Sequence, residues 1–346
     1  MSREKRFRLG ITHGDVNGIG YEVILKALSD QRMLENIIPI VYGSTKVASY
    51  HRKTLRAGDI NFQGVRNLEE ATNKRINILN ITENDIRVDL GIPSEEAGKM
   101  AVLSLEMAMK DLLDGHIEAI VTAPIDKKTV QSATFEFKGH TEYLAAACNV
   151  NDHLMFMVGQ QIRLGVVTGH IPLREVPDAL SSDLIVSKLE LMHQSLVRDF
   201  GFDRPRIAVL GLNPHAGDHG LLGMEEQTII QPAVEAANEK GILAFGPYAA
   251  DGFFGSLSFQ QFDGVLAMYH DQGLIPFKMN AFHDGVNFTA GLPIIRTSPV
   301  HGTGYDIAGK DKASPDSMRE AIYLAFDIFH NRSSYDELKA NALDNR

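Results

Sequence analysis

The chain has 346 residues, of which 44% are hydrophobic and 23% are charged. This composition is typical of a packed globular protein and excludes fibrous and low-complexity classes. The formal net charge of −10 gives a surface that repels phosphate backbones, so we expect no nucleic-acid partner. No apolar run is long enough to cross a bilayer, so we expect no membrane partner. The charged N-terminal hexapeptide Met-Ser-Arg-Glu-Lys-Arg precedes no apolar export signal, and the single cysteine, Cys148, cannot form an internal disulfide. Both features favour a cytoplasmic location.

Short apolar runs alternate with longer amphipathic segments along the chain. The runs predict strands at residues 8–12, 38–42, 76–79, 119–122, 154–157, 164–168, 207–210 and 265–268. Several are apolar at successive positions, as strands buried on both faces of a parallel sheet are. Helical patterns between them include residues 94–113, 184–200 and 227–240. This alternation predicts an α/β fold with a mostly parallel sheet.

The C-terminal segment has the clearest helix signals. Ser314 can cap the helix, Pro315 suits its first position, and Asp316 favours the positive end of the helix dipole. Apolar side chains then recur at helical spacing and predict one buried face. These side chains are Met318, Ala321, Ile322, Ala325 and Phe329.

Two glycine-rich loops stand out. The first strand ends in a turn over residues 12–20, and a helix is expected from about Tyr21. Such a turn lets backbone N–H groups approach an anion, although a tight turn before a helix accounts for the glycines equally well. Neither loop has the dinucleotide-binding spacing, because Val23 and Ile307 stand where a third glycine is required after Gly18-x-Gly20 and Gly302-x-Gly304.

Three histidines follow apolar runs that are predicted to be buried strands. His170, His215 and His270 each lie at, or just past, the carboxyl end of such a run. Because ligands of parallel sheets bind beyond these ends, the three loops can converge. Neutral imidazole is a common ligand of Zn²⁺, and three protein ligands with one open position describe a catalytic site. The alternative is that each is an ordinary surface or core histidine.

Further polar residues can bind an anion. Lys278, Asn287 and Arg296 follow His270, and an arginine beside an apolar run in an acidic protein is expected to be partly buried. A buried guanidinium needs an anion, either an internal carboxylate or a substrate phosphate. His140-Thr141-Glu142 begins a predicted short helix, where a capping threonine and an anion site are both open.

Taken together, these motifs closely resemble the 4-hydroxythreonine-4-phosphate dehydrogenase family. The resemblance runs nearly end to end. It rests on the segments at residues 11–20, 121–125, 139–142, 212–217, 268–273, 287–293, 296–298 and 300–309. The first and last of these segments also look like isocitrate and isopropylmalate dehydrogenases.

The resemblance implies the isocitrate/isopropylmalate dehydrogenase-like fold. That fold has two α/β/α domains, a mostly parallel sheet and an active site in the interdomain cleft. We expect one α/β domain from residues 1–132 plus 285–346. A central α/β domain of residues 133–284 is expected to hold the metal ligands and the interface of a homodimer.

The resemblance also implies roles for residues. The metal ligands are expected to be His170, His215 and His270, shared between subunits, and these histidines and Lys278 are expected to be catalytic. The substrate contacts are expected to be His140, Thr141, Lys278, Asn287 and Arg296. The cofactor contacts are expected to be His301, Gly302 and Asp306.

The implied reaction is a dehydrogenation that depends on NAD or NADP and on a divalent metal, either Zn²⁺ or alternatively Mg²⁺ or Co²⁺. 4-Hydroxythreonine 4-phosphate is oxidised to a 3-keto acid, which decarboxylates to 3-amino-2-oxopropyl phosphate on the route to pyridoxal phosphate. The alternative substrate is a four-carbon sugar-acid phosphate, namely threonate or erythronate 4-phosphate. Rival readings are a metal-dependent hydrolase, an acyltransferase and a small-molecule binding protein.

Three positions depart from the family pattern. His13 stands where methionine is expected, Tyr21 where proline is usual, and Tyr305 where a small residue is typical. All three lie in or beside the two glycine loops, so we expect them to affect substrate and cofactor preference and to leave the metal ligands unaffected.

Overall fold

The structure is a computed structural model that describes residues 7–55, 60–131, 135–137 and 139–341. The N-terminal hexapeptide lies outside the described residues. Contacts between Cα atoms divide the chain into two units. Unit 1 comprises Met1–Asn149 and Pro293–Phe326, and unit 2 comprises Val150–Leu292 and Asp327–Arg346. The domain boundaries expected from the sequence stay a prediction.

The described residues form a mixed α/β fold. The strands are β1 (Phe7–Thr12), β2 (Ile37–Gly43), β3 (Phe62–Val65), β4 (Ile76–Asn80), β5 (Ala119–Thr122), β6 (Leu154–Val158), β7 (Arg163–Thr168), β8 (Arg206–Leu210), β9 (Leu243–Tyr248), β10 (Gly264–Tyr269), β11 (Val286–Ala290) and β12 (Arg296–Pro299). The helices are α1 (Gly20–Leu28), α2 (Met33–Asn36), α3 (Thr45–Thr54), α4 (Glu95–Leu113), α5 (Lys127–Val130), α6 (His140–Ala147), α7 (Val176–Ala179), α8 (Ser182–Arg198), α9 (Gln231–Glu239), α10 (Ala250–Gly255), α11 (His270–Asn280) and α12 (Asp316–Ala340).

In unit 1, six strands pair in the order β3-β4-β2-β1-β5-β12, and every recorded pairing is parallel. The inner strands are buried along their length; all seven residues of β2 and all four of β5 are buried. Continuous burial is what the unbroken apolar runs of these segments predict for a parallel sheet covered on both faces. The predicted α/β class with a mostly parallel sheet is therefore confirmed.

In unit 2, six strands pair in the order β11-β6-β7-β10-β8-β9. The pairs β7–β10, β10–β8 and β8–β9 are parallel, whereas β6 pairs antiparallel with β11 and β7. Because β7, β10 and β8 are parallel neighbours, their carboxyl ends lie at one edge of the sheet. His170 and His215 lie in the loops that follow β7 and β8, and His270 is the first residue of α11, directly after β10.

Helix starts follow the local chemistry of the sequence. Ser94 and Ser181 cap α4 and α8, since their hydroxyl oxygens accept the N–H groups of Ala97 and Leu184 at 3.2 Å each. The expected helix at 227–240 begins differently: a wide π turn over Glu226–Ile230 precedes α9.

Helix α12 starts at Asp316, whose N–H donates to the hydroxyl of Ser314 at 3.2 Å. Pro315 therefore precedes the first helical residue and does not occupy it. The expected buried face is correct for Met318, Ala321, Ile322 and Ala325. Beyond them Ile328 is fully buried and Phe329 only half-buried. The residues of α12 up to Phe326 belong to unit 1, and those from Asp327 belong to unit 2.

In the part of the chain that the structure describes, no helix is both long and apolar enough to span a membrane.

Candidate functional site

His170 and His270 lie side by side in unit 2. Thr168, which ends β7, is in register with Tyr269, which ends β10, so the two histidines follow neighbouring parallel strands. Their ring centroids are 5.7 Å apart, with the planes tilted by 44°. At this separation, nitrogens of both rings can face one ion that binds nitrogen at about 2.0–2.1 Å. His170 is exposed, and His270 is half-buried.

Asp271 contacts the ring of His270. Its carboxylate oxygen lies 2.6 Å from Nδ1 of His270, where it accepts the Nδ1–H in the tautomer that carries hydrogen on this nitrogen. This tautomer leaves the Nε2 lone pair available, and a carboxylate behind a metal-binding imidazole is the usual way to fix the orientation of such a ligand. The donor set thus fits a divalent ion.

His215 lies in the loop after β8. The loop continues as a turn over Pro214–Gly220, and His215 is exposed at φ 52°. Among the described residues of one chain, no three His, Cys, Asp or Glu side chains lie together so that they could hold a metal ion. A single chain therefore pairs His170 with His270 and does not complete a three-ligand group with His215. The expected sharing of the ligands between subunits stays a prediction.

A shallow pocket accompanies the paired histidines. It is lined by Gly169, His170, Ile171, Leu173, Val176, Tyr269, His270 and Asp271. Large apolar side chains in the same unit are exposed on the elements that carry the candidate residues. They are Ile171 and Leu173 after β7, Leu221, Leu222 and Met224 after His215, and Ile275, Met279 and Phe282 on and after α11.

Arg296 is buried at the start of β12, with 3% of its surface exposed. Its Nε and one terminal nitrogen donate to the hydroxyl of Thr122, at 3.0 Å and 2.8 Å. Burial lowers the pKa of Arg296 to about 10, and the negative charge of Glu142 opposes that shift. The guanidinium therefore remains a cation at neutral pH, in a place where water screens its charge poorly. The expectation that this arginine is buried is confirmed.

His140 and Thr141 begin α6 in unit 1. The residue before the helix is Gly139, which offers no side-chain cap, so Thr141 is the second helical residue and does not cap the helix. The Nε2 atom of His140 is buried and has no hydrogen-bond partner among the described residues. Burial, aided by the charge of Arg296, holds the pKa of His140 well below its usual value. A neutral ring with an unused nitrogen is suited to bind a polar ligand.

The other expected substrate contacts lie in unit 2. Lys278 is exposed near the end of α11. Asn287 is half-buried on β11, in register with Met157 of β6.

The expected cofactor residues lie in the loop that follows β12 in unit 1. His301 is half-buried, its Nδ1 lies 3.1 Å from the carbonyl oxygen of Gly302, and its Nε2 is buried without a partner among the described residues. Gly302 is exposed, and an added Cβ there would meet nothing within 4 Å. Asp306 is exposed. An open stretch of backbone beside an unused imidazole nitrogen fits a polar ligand such as a dinucleotide.

The two glycine loops of unit 1 contact each other. The Tyr305 hydroxyl donates to the Asp15 carboxylate at 2.7 Å, and the N–H of Ile19 donates to the carbonyl oxygen of Thr303 at 2.9 Å. At Gly18 an added Cβ would lie 2.6 Å from that same oxygen, so only glycine allows this approach. Burial raises the pKa of Asp15, and the Tyr305 hydrogen bond acts in the opposite direction.

His13 and Tyr21, two of the residues expected to depart from the family pattern, form a buried aromatic stack with His51. Ring centroids are 5.3 Å apart for His13 and Tyr21 and 5.2 Å apart for Tyr21 and His51, with nearly parallel planes. The Tyr21 hydroxyl accepts the N–H of Ser44 at 2.9 Å. Burial lowers the pKa of both histidines to about 4.

Comparisons with known proteins bear on what this arrangement does. The family described as pyridoxal phosphate biosynthetic protein PdxA matches residues 35–325. A 4-hydroxythreonine-4-phosphate dehydrogenase of Bacteroides thetaiotaomicron is 54% identical and covers 98% of this chain and 93% of its own length. A protein of the same name from a Sulfurihydrogenibium species is 42% identical, with 92% and 97% covered.

A solved structure of similar fold bears the same name. It is a 4-hydroxythreonine-4-phosphate dehydrogenase from Klebsiella pneumoniae, with a TM-score of 0.80 and 36% identity over 95% of this chain and 99% of that one. Fold and relatives together define an oxidoreductase. They exclude the alternative interpretations as a hydrolase, an acyltransferase or a binding protein. The chain belongs to the family of pyridoxal phosphate biosynthetic protein PdxA. Membership implies a nicotinamide cofactor and a divalent metal.

Proposed function

We propose that this chain oxidises 4-hydroxythreonine 4-phosphate with NAD or NADP. The observation that carries the proposal is the 54% identity, along 98% of the chain, to a relative with that name. The substrate gives up a hydride from its C–H bond to the nicotinamide and the proton of its hydroxyl group to water. The resulting 3-keto acid loses carbon dioxide, and the carbon that carried the carboxylate takes up one proton from water, which leaves 3-amino-2-oxopropyl phosphate for pyridoxal phosphate synthesis.

His170, His215 and His270 are the proposed metal ligands. Imidazole nitrogen favours Zn²⁺ or Co²⁺ over Mg²⁺, which prefers oxygen. A bound divalent ion supplies Lewis acidity, which makes a coordinated hydroxyl group easier to deprotonate and stabilises developing negative charge. Asp271 holds the His270 ring through the 2.6 Å contact at Nδ1, which leaves Nε2 available to bind the metal ion.

Arg296, His140 and Thr141 are the proposed substrate contacts in unit 1, and Lys278 and Asn287 are those in unit 2. Arg296 supports this role best, because it is a buried cation held on Thr122, and a planar guanidinium suits a phosphate or carboxylate. His140 offers its Nε2, which has no hydrogen-bond partner among the described residues. Lys278 supplies an exposed charge, suited to an anion that arrives from solvent.

The loop from His301 to Gly309 is the proposed dinucleotide contact. When bound, the nicotinamide supplies the acceptor for the hydride. The residues of the chain bind and orient it: the open backbone at Gly302 can approach a pyrophosphate, His301 can accept at Nε2 because its Nδ1–H faces the Gly302 carbonyl oxygen, and the Asp306 carboxylate can accept ribose hydroxyls. The contacts of this loop with the first glycine loop support the role, because they hold its backbone in place.

We also propose that the active form is a homodimer that shares the metal ligands between subunits. The support is twofold. Among the described residues of one chain, His170 pairs with His270 without a third ligand. Exposed apolar side chains flank the candidate residues, notably Leu221 after His215 and Met279 beside Lys278, which are 79% and 84% exposed. Apolar exposure of this kind is typical of surfaces that become covered by a partner.

Cys148, the only cysteine, supports the predicted cytoplasmic location.

A substrate panel tests the proposal. The purified chain, loaded with Zn²⁺ or Co²⁺, is given 4-hydroxythreonine 4-phosphate, threonate 4-phosphate or erythronate 4-phosphate, each with NAD or NADP. The absorbance of the reduced nicotinamide reports turnover, and product analysis reports carbon dioxide release. We expect the amino-acid phosphate to give the highest kcat/KM. A strict preference for a sugar-acid phosphate would overturn the substrate assignment, and turnover unaffected by complete metal removal would overturn the metal assignment.

A further inference from the structure

The loop that carries His215 has an unfavourable backbone. Five successive residues, 215–219, have φ values of 52°, 50°, 81°, 41° and 56°, and only one of them is glycine. Left-handed conformations are disfavoured for the other four, since their Cβ atoms crowd the backbone. A run of this kind persists only where surrounding contacts stabilise it.

Glu226 makes the contacts that hold the start of this loop. Its side chain is buried, with 3% exposed, at the beginning of the π turn before α9. Oε1 accepts the backbone N–H groups of Leu212 and Asn213, both at 2.7 Å, and Oε2 accepts the Asn213 side-chain amide at 3.0 Å. A carboxylate that accepts three donors in a buried place binds them more strongly than a neutral acceptor does.

The loop is shaped around this carboxylate. A Cβ on Gly217 would lie 2.6 Å from Oε2 of Glu226, and a Cβ on Gly211 would lie 3.1 Å from Oε1. The backbone on both sides of His215 therefore lies close to the carboxylate. A larger residue at Gly217 would displace Glu226, and one at Gly211 would press on both Glu226 and Ala216.

Gln272 ties the same loop to the neighbouring strand. Its amide donates to the carbonyl oxygen of Gly211 at 2.6 Å, and its oxygen accepts the N–H of Met268 at 2.7 Å. One side chain thus joins the carboxyl end of β10, two residues before His270, to the backbone that leads to His215.

We propose that Glu226 is a positioning residue for His215, with Gln272 setting the loop relative to β10. The inference rests on the proposed metal function. Glu226 acts through the N–H groups of Leu212 and Asn213 and through the glycines that enclose it. Without the carboxylate, the left-handed run relaxes, and the imidazole of His215 is no longer held in the orientation that suits metal binding.

Zinc binding to the metal-free full-length chain tests this inference. Calorimetry compares the wild type with Glu226→Ala, Glu226→Gln and the reference variant His215→Ala. Glu235→Gln, at an exposed position of α9, is the matched control. We expect Glu226→Ala to lose about 10- to 100-fold in Zn²⁺ affinity, as is usual for residues behind metal ligands. Glu226→Gln should lose less, because its remaining oxygen can still accept both backbone N–H groups.

Amide hydrogen exchange of Leu212 and Asn213 is measured in the same variants without metal. Faster exchange in Glu226→Ala with weaker zinc binding supports the inference. Wild-type zinc affinity in both Glu226 variants, while His215→Ala loses binding, overturns it, even if their melting temperature falls. Equal zinc binding by wild type and His215→Ala would instead overturn the metal role of His215, and Glu226 is then judged on exchange alone. If Glu226→Ala does not fold, Glu226→Gln and Gln272→Ala carry the comparison.

Discussion

The hydroxyl of Tyr305 donates to the carboxylate of Asp15 across 290 positions of the sequence, at 2.7 Å. Asp15 is buried and also accepts the N–H of Asn17. The bond links the first glycine loop of unit 1 to the loop proposed to contact the dinucleotide. Tyr305 is one of the three positions expected from the sequence to depart from the family pattern.

Tyr305→Phe should weaken both stability and dinucleotide binding. Loss of the hydroxyl removes one donor from a buried carboxylate, which costs about 1–3 kcal/mol of unfolding free energy and raises the pKa of Asp15 further. Urea unfolding measures the stability, and the KM for NAD and NADP measures the effect on the loop. Tyr50→Phe, on the exposed side of α3, is the control and should change neither. An unchanged KM would separate Tyr305 from the cofactor.

The buried histidines His13 and His51 should make the protein sensitive to mild acid. Their pKa falls from an ordinary value of 6.5 to about 4 in the fold, so the unfolded chain binds protons first as pH drops. The contribution of each neutral histidine to the free energy of unfolding is fully present above about pH 6.5. It is lost progressively as the pH falls toward 4, by roughly 2–3 kcal/mol for each histidine. Urea unfolding at several pH values in this window measures the slope.

His13→Met should reduce that slope by about half, since one of two histidines no longer titrates. The substitution also restores the residue expected from the family pattern. His283→Gln, at an exposed position, serves as the control and should keep the wild-type slope. If His13→Met loses stability with acid as steeply as the wild type, the stack is not the source of the sensitivity.

Arg296→Lys should raise the KM for the phosphorylated substrate much more than the KM for the dinucleotide. Lysine cannot reproduce the planar fork that binds Thr122 and an anion together, and loss of such a contact costs about 2–4 kcal/mol of binding. Arg332→Lys is the matched control: Arg332 is also buried and pairs with Asp199 at 2.6 Å. That variant should lose stability with substrate KM unchanged. Equal losses for substrate and dinucleotide would make Arg296 a structural residue.

Asp271→Asn should weaken metal binding by about 10- to 100-fold. The amide keeps the size of the side chain and removes the charge that holds the Nδ1–H of His270. Zinc titration with a competing chelator measures the affinity. Asp284→Asn, in the turn after α11, is a suitable control because Asp284 precedes β11 and makes no recorded contact with the histidine pair. Unchanged affinity in Asp271→Asn would show that the carboxylate does not orient the ligand.

Sequence patterns located the inner strands well and the outer strands poorly. The apolar runs identify β1, β2 and β5 because burial on both faces selects an apolar residue at every position. At the other extreme, β3 and β9 lie at sheet edges and are only partly buried, so their sequences show no continuous run. The strands β11 and β12 carry Asn287 and Arg296 and were missed for a related reason, since polar side chains interrupt their apolar pattern.

The candidate site could be predicted only in part. His170, His215 and His270 are predicted as metal ligands because each follows an apolar run that ends at the same edge of a parallel sheet, and the structure brings His170 and His270 together. Asp271 stands beside His270 in the sequence, but its role depends on a side-chain orientation that only the structure gives. No sequence pattern predicts the role of Glu226. Its backbone partners, Leu212 and Asn213, lie 14 and 13 positions away, and no residue pattern is typical of a carboxylate that accepts backbone N–H groups.

Both units depend on contacts that helix α12 provides. Its first turns supply Ala321, whose carbonyl oxygen accepts the hydroxyl of Thr297 in unit 1, and its later turns supply Arg332, which pairs with Asp199 in unit 2. Neither unit can therefore be produced as an autonomous fragment by a single cut of the gene. A split version of this enzyme would need the helix encoded twice, once for each half.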